Sequence, residues 1–278
     1  MQVDAHVHFW KYDKQRDSWI TNEMKVLRQD YLPETLVSTL HRNKVDAAIA
    51  VQAGQSELET HFLIELAKTN PFIKGVVGWA DLSSPELSAR LDYFSQYPII
   101  KGWRHIIQDE TAGYMEREAF ISGVGSLAAR GYSYDLLIYH HQLTEAIRFA
   151  QRFPDLRIVV DHCAKPGIRD HEMNDWKKGI EALAALPNVH CKLSGLLTEA
   201  SWKSWTPAEI YPYLDVVHNA FGVDRLMFGS DWPVILLAGM YVQWKSLLEK
   251  YFEKHTEEER EKIFGGNATA FYQLNPSL

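Results

Sequence analysis

The sequence predicts a single-domain α/β protein folded as a (β/α)8 TIM barrel over residues 1–278. Three observations predict it. Strand-like apolar runs alternate with helical patterns eight times along the chain. The length of 278 residues suits an α/β barrel, which commonly runs near about 250 residues as one unit. No composition break, linker or low-complexity segment interrupts the alternation. Such alternation implies parallel strands joined by right-handed crossovers. A doubly wound open sheet is the competing arrangement, and no glycine-rich first turn supports it.

Each element has a local reason. The first strand runs from Gln2 to Phe9, and Pro33 opens an amphipathic helix to Arg42, where its missing N–H costs nothing. Val45 to Gln52 is nearly all apolar, as a strand covered on both faces should be. Ser56 with Glu59 forms a capping box for a helix to Thr69. Ile73 to Trp79 is the third strand, and Ser84-Pro85 starts the next helix. Strand four, Ile99 to His105, precedes a helix from Arg117 to Arg130; strand five, Ser133 to Tyr139, precedes one from Leu143 to Phe153. Arg157 to His162 and a helix from Asn174 to Leu186 make the sixth unit. Asn188 to Ser194 and a helix from Pro207 to Phe221 make the seventh. Arg225 to Asp231, with helices from Gly239 to His255 and from Thr256 to Phe264, makes the eighth.

The composition is that of an ordinary globular chain, 46% hydrophobic and 23% charged. A net charge of -7 and the lack of any run of five basic residues argue against nucleic-acid or membrane-surface partners. No apolar run approaches the roughly 18 residues of a spanning helix, and the first residues carry charge where a secretory leader is apolar. Cys163 and Cys191, each within an apolar run, read as buried thiols in a reducing compartment. The expected location is cytoplasmic.

Active sites of such barrels lie at the C-terminal strand ends. Strand one ends in His6 and His8, two imidazoles on one face of a strand. Strand four ends in Arg104-His105, strand six in Asp161-His162, strand seven in Lys192 to Gly195, and strand eight in Gly229-Ser230-Asp231-Trp232-Pro233. Singly, His6 and His8 could be solvated, His162 a satisfied core histidine, Asp231 a turn cap and Arg104 a rim salt bridge. Together they form a set too costly to bury without use. The chemistry that fits is hydrolysis at a polarised carbonyl. His6, His8, His162 and Asp231 could hold one divalent ion, zinc or manganese, that activates water. Alternatively, with no metal, the histidines donate to a developing oxyanion. In both versions Asp231 is the general base, and Arg104 offers a fixed cationic fork.

The five motifs Asp4 to Trp10, Lys101 to His105, Asp161 to Pro166, Cys191 to Gly195 and Gly229 to Pro233 resemble the amidohydrolase superfamily over the whole chain. Within it they resemble the branch of sugar-acid and pyrone lactonases, as does the tail from Phe264 to Tyr272. The resemblance implies a (β/α)8 barrel, a core site of His6, His8, His162 and Asp231, and Arg104 and His105 lining it. Many superfamily members bridge two metals with a carboxylated lysine at the fourth strand. Here Lys101 precedes Arg104 by three residues and is expected on the opposite face, so a binuclear site is not expected. Lactonases of this branch are not uniformly metal-dependent, which leaves zero or one metal.

The expected ligand is a small neutral sugar lactone such as L-fucono- or L-rhamnonolactone. Rim tryptophans Trp10, Trp103 and Trp232 suit the C–H faces of a sugar, and Glu199 can accept from hydroxyls; each tryptophan could instead pack loops. A 2-pyrone-4,6-dicarboxylate-type lactonase or a metal-dependent decarboxylase is the alternative, and either would ask for free arginines at the rim. A barrel that only binds would not need Asp231. The sequence does not fix sugar stereochemistry, lactone ring size or whether the chain forms a homo-oligomer.

Overall fold

The computed structural model describes residues 1–274; residues 275–278 of the predicted domain lie outside the described residues. Eight parallel strands pair in chain order: β1 (Val3–Val7), β2 (Ala47–Val51), β3 (Ile73–Gly78), β4 (Ile100–Ile106), β5 (Ser133–Leu137), β6 (Ile158–Val160), β7 (Val189–Leu193) and β8 (Leu226–Phe228). The ring closes where Val7 bridges Trp232. There Asp231 N donates to His6 O at 2.9 Å and His8 N to Trp232 O at 2.7 Å. The sheet is a (β/α)8 barrel, as the alternation predicts.

Helices α1 (Pro33–Arg42), α2 (Glu57–Thr69), α3 (Leu87–Phe94), α4 (Glu118–Ala128), α5 (Leu143–Gln151) and α6 (Asn174–Ala184) cover the first six strands. Then come α7 (Leu196–Glu199), α8 (Pro207–Phe221), α9 (Tyr241–Tyr251), α10 (Glu257–Glu261) and α11 (Asn267–Phe271). Three departures from expectation sit beside the site, the first being that β8 ends at Phe228, short of Asp231. Strand six stops at Val160 because residues 161–164 turn sharply, and the short α7 follows β7 at once. Ser56 caps α2 by accepting from Glu59 N, but the Glu59 carboxylate bonds Ala53 N at 2.9 Å and so braces the preceding loop.

Val3, Ala5, Ala47, Ile49, Val51, Val77, Val159 and Met227 fill the lower barrel interior, sealed by Ala268, Phe271, Tyr272 and Leu274 of the C-terminal segment. Val7 and Phe9 belong instead to the outer, helix-facing core. The inward face of β1 therefore changes between Ala5 and Val7, where the pairing with β2 shifts register. A bulge re-aims a side chain, and this one turns His6 and His8 into the barrel mouth. A similar shift on β4 leaves Lys101 unpaired between Ile100 and Gly102. Its stem lies by Gly75, Ile49 and Leu274 at the barrel floor, not on the face opposite Arg104.

His190 on β7 packs its ring 4.9 Å from Phe271, and its Nδ1 is buried without a partner. Burial, then Arg225, lowers its pKa from 6.5 to about 4. The folded state thus binds the proton less well than the unfolded one. Its contribution is complete above pH 6.5 and is lost as pH falls to about 4. We expect about 2–3 kcal/mol of stability to go over that window, and His190→Gln to flatten the loss. Urea midpoints at about pH 4.5 and about pH 7 check it; equal pH slopes in both proteins would contradict it.

Candidate active site

The upper barrel carries a buried charged layer beneath the histidines. Lys192 of β7 reaches Asp135 of β5 and lies 3.0 Å from Asp161 Oδ1. Arg104 Nη1 donates to Asp161 Oδ2 at 3.0 Å, and Nη2 reaches the Gln52 carbonyl. Gln52 Nε2 returns a bond to Arg104 O at 3.2 Å. Tyr272 from the floor donates to Asp135 Oδ2 at 2.7 Å. Two cations and two carboxylates balance, which makes such burial affordable. Burial raises the Asp135 pKa to about 6, with Lys192 opposing. For Asp161 burial acts the same way, but Lys192, His6 and Arg104 outweigh it and hold the carboxyl well below its usual range.

Above this layer four donors converge. His6 Nε2 lies 3.1 Å from His8 Nε2. Asp231 Oδ1 is 3.2 Å from His8 Nε2 and 3.8 Å from both His6 Nε2 and His162 Nε2. His8 Nδ1 donates to Val51 O at 2.8 Å, which leaves its Nε2 lone pair facing the site. His162 Nδ1 is held by Ser194 Oγ at 2.8 Å. Gly195 follows at φ 70°, and any Cβ there would lie 2.7 Å from the His162 side chain. Glycine lets that ring seat.

His6 Nδ1 faces both Lys192 Nζ at 3.1 Å and Asp161 Oδ1 at 3.3 Å. Donation from lysine puts the imidazole proton on Nε2, toward the site; a proton shared with Asp161 frees Nε2 as a ligand. Burial, then Lys192, lowers the His6 pKa well below the ordinary value. Burial lowers His162 to about 4. Burial would raise Asp231, but His162, His8 and His6 outweigh it and hold the carboxyl well below the usual range.

Backbone strain marks the same residues. Asp231 has φ 58°, and His162, Cys163, Ala164 and Lys165 run from 46° to 57°. Left-handed L-residues cost roughly 1–2 kcal/mol each, and such strain persists where surroundings over-determine it. Here Trp176 Nε1 donates to Cys163 O at 2.8 Å and Lys165 N to His162 O at 2.8 Å. The turn swings Lys165 to the rim, where its ammonium lies 5.0 Å from the Tyr139 ring centre. Half-buried Glu199, in α7, stands near this lysine; burial raises its pKa, and Asp231 adds to the rise while Lys165 opposes it.

The structure thus brings together His6, His8, His162, Asp231 and Arg104, with Glu199 at the rim. It does not bring the others. His105 points away from Arg104, stacks on Tyr114 at 4.9 Å and pairs with Glu110 at 2.8 Å. Trp103, on the same outer face, is buried against Phe94 and Tyr132. Strand alternation puts both behind the barrel wall. Trp10 is buried against Tyr31 with its indole N–H on Gln29 O, and Trp232 against Phe9 and Tyr31. They pack the first loop and show no open face to a ligand. Gln52 and Asp135 join the site from outside the sequence motifs, whereas Ser194, Lys165 and Tyr272 stand within them without an assigned role. Gln52 had a signal, as the one polar side chain ending an apolar strand.

The donor set suits a metal. Ligands held at about 2.0–2.2 Å around one ion stand about 3–3.5 Å apart, close to the separations of His6, His8 and Asp231. The anchored Nδ1 atoms of His8 and His162 are the outer bonds that metal-bound histidines use. The residues fit one divalent ion.

A sequence profile described as amidohydrolase matches residues 3–274. The chain belongs to the amidohydrolase family. This amidohydrolase is 40% identical to an L-fucono-1,5-lactonase of Burkholderia multivorans, over 99% of this chain and 96% of that one. It is 28% identical to an L-rhamnono-gamma-lactonase of Scheffersomyces stipitis, over 73% and 68% of the two chains. A crystal structure of an amidohydrolase from Burkholderia multivorans with bound zinc matches it with TM-score 0.96 and 40% identity, covering 99% and 100%.

Proposed function

We propose that this amidohydrolase is a lactonase of carbohydrate metabolism, opening the ester ring of a neutral aldonolactone such as L-fucono- or L-rhamnonolactone. The observation that carries the reading is the Asp231 carboxylate, buried and ionised among three imidazoles at a barrel mouth. Water attacks the lactone carbonyl carbon as Asp231 removes one of its protons. The acyl–oxygen bond of the ring then breaks, and Asp231 returns the proton to the leaving oxygen, giving an open-chain hydroxy acid. A depressed pKa makes Asp231 a weak base, so the charge developing on the carbonyl oxygen must be met by positive potential. Without a metal, a His6 protonated on Nε2 and the Arg104 guanidinium, whose Nη1 lies 3.3 Å from that nitrogen, supply that potential. With the His6 proton instead on Nδ1, shared with Asp161, His6 Nε2, His8, His162 and Asp231 could hold a divalent ion such as zinc or manganese, which would supply activation of the water and polarisation of the carbonyl in place of that donation.

The lining favours a neutral substrate. Arg104 is committed to Asp161 and Gln52, so it is not free for the carboxylate that a pyrone dicarboxylate or a decarboxylase substrate would bring. Glu199 and Lys165 offer an acceptor and a donor for ring hydroxyls. A cytoplasmic location belongs to the same proposal, supported by buried free thiols at Cys163 and Cys191. No helix among the described residues is long and apolar enough to cross a membrane.

A pH-indicator assay against aldonolactones of both ring sizes, with and without chelator, tests the reading. Acid release above the spontaneous rate for L-fucono- or L-rhamnonolactone is expected. Loss with chelator and recovery with zinc or manganese would assign the four donors to a metal; activity unmoved by chelator would assign them to oxyanion donation. No release from any sugar lactone would overturn the proposal.

A further inference from the structure

At the N-terminal end of the barrel, opposite the catalytic mouth, the starts of β4, β5 and β6 and the end of α11 surround a concavity of about 250 Å³. Lys101, Arg130 and Arg157 line it, with Tyr97, Tyr132 and Tyr272, and none of its lining residues is acidic. That is unexpected in a chain with 36 acidic and 29 basic residues. Arg130 is paired with Asp92 at 3.0 Å. Two of the five Arg157 N–H groups go to the Phe271 and Gly131 carbonyls, which leave its charge uncompensated. Lys101 has no ion pair among the described residues, although its stem is packed at the barrel floor. Burial, then Arg157, pushes the Lys101 pKa down. Partly buried like charges side by side are unfavourable unless something neutralises them, and a concave wall of one sign focuses potential on a counter-ion.

We propose that this concavity is a binding site for a small oxyanion, a phosphate or a carboxylate, held by Lys101 and Arg157. The site is separate from the catalytic mouth and does not depend on the lactonase reading. Tetrahedral phosphate or planar carboxylate can take the lysine ammonium and a guanidinium edge together.

Isothermal titration of the full chain at constant ionic strength, with chloride as the control, would test the site. Inorganic phosphate and sodium gluconate serve as the two probes, and the tighter of them names the source of the anion. Saturable one-site binding of at least one probe is expected, weakened at least about tenfold by Lys101→Met and restored by Lys101→Arg. Arg157→Lys keeps a charge while changing the fork, so it is expected to weaken binding less. Asp231→Asn should leave binding intact, because it alters only the opposite end of the barrel. Absence of binding by both probes, binding undiminished in Lys101→Met, or binding lost in Asp231→Asn would each overturn the site.

Discussion

Asp231→Asn is expected to lower kcat for the lactone by about 10²–10⁴-fold, the range that a positioned general base supplies. The change is small in shape. The Asp231 backbone sits at φ 58°, a region that asparagine tolerates better than most residues. The bonds closing the barrel at this point, Asp231 N to His6 O and His8 N to Trp232 O, are backbone to backbone and survive. The melting temperature and the circular dichroism should therefore stay near those of the parent. What goes is the acceptor for the water proton and the negative charge among three imidazoles. Zinc titration of the apo proteins gives a second readout, since a metal role predicts weaker binding in the variant. Turnover within a factor of about ten of the parent would remove Asp231 from the base role.

Much of the site was legible because strand ends are legible. A (β/α)8 pattern assigns residues to the catalytic rim by position alone, so His6, His8, His162, Asp231 and Arg104 could be chosen before any geometry. The errors came from details that period-2 counting misses. His105 follows Arg104 directly and so faces the other way. The bulges at Ala5–His6 and at Lys101 each change the inward face within a strand. Regular alternation would have sent His6 and His8 outward with Asp4, and one extra residue reversed that. The left-handed turn after Val160 was invisible for a related reason: His162 to Lys165 contains no glycine to announce positive φ. Tryptophans misled through composition. Their large apolar faces are as useful for packing a loop as for binding a sugar, and Trp10 and Trp232 were taken for packing. The ion network under the site was only half visible, because Lys192 and Tyr272 meet at Asp135 from distant parts of the chain.

That network sets the second large expectation: Lys192→Met should destabilise the fold by about 3–5 kcal/mol, the usual cost of removing one partner from a buried ion pair. Methionine fills nearly the same space, so the loss is electrostatic. Asp135, fully buried, would keep only the Tyr272 hydroxyl as a partner. Its pKa already stands near 6 with the lysine present; without it, folding at neutral pH must either bury a bare carboxylate or take up a proton. Asp161 would fare better, because Arg104 still reaches its Oδ2. Adding Asp135→Asn to Lys192→Met should therefore restore a large part of the stability, since the amide carries no charge and can still accept from Tyr272. A double-mutant cycle by urea denaturation measures that coupling. Activity should not return with stability. His6 would still lack the ammonium that donates to its Nδ1 at 3.1 Å, so the proton on Nε2 would no longer be enforced. A stable double variant with depressed kcat is the expected result. If Lys192→Met alone unfolds within about 1 kcal/mol of the parent, the lysine is not what balances Asp135, and the charged layer holds the barrel in some other way.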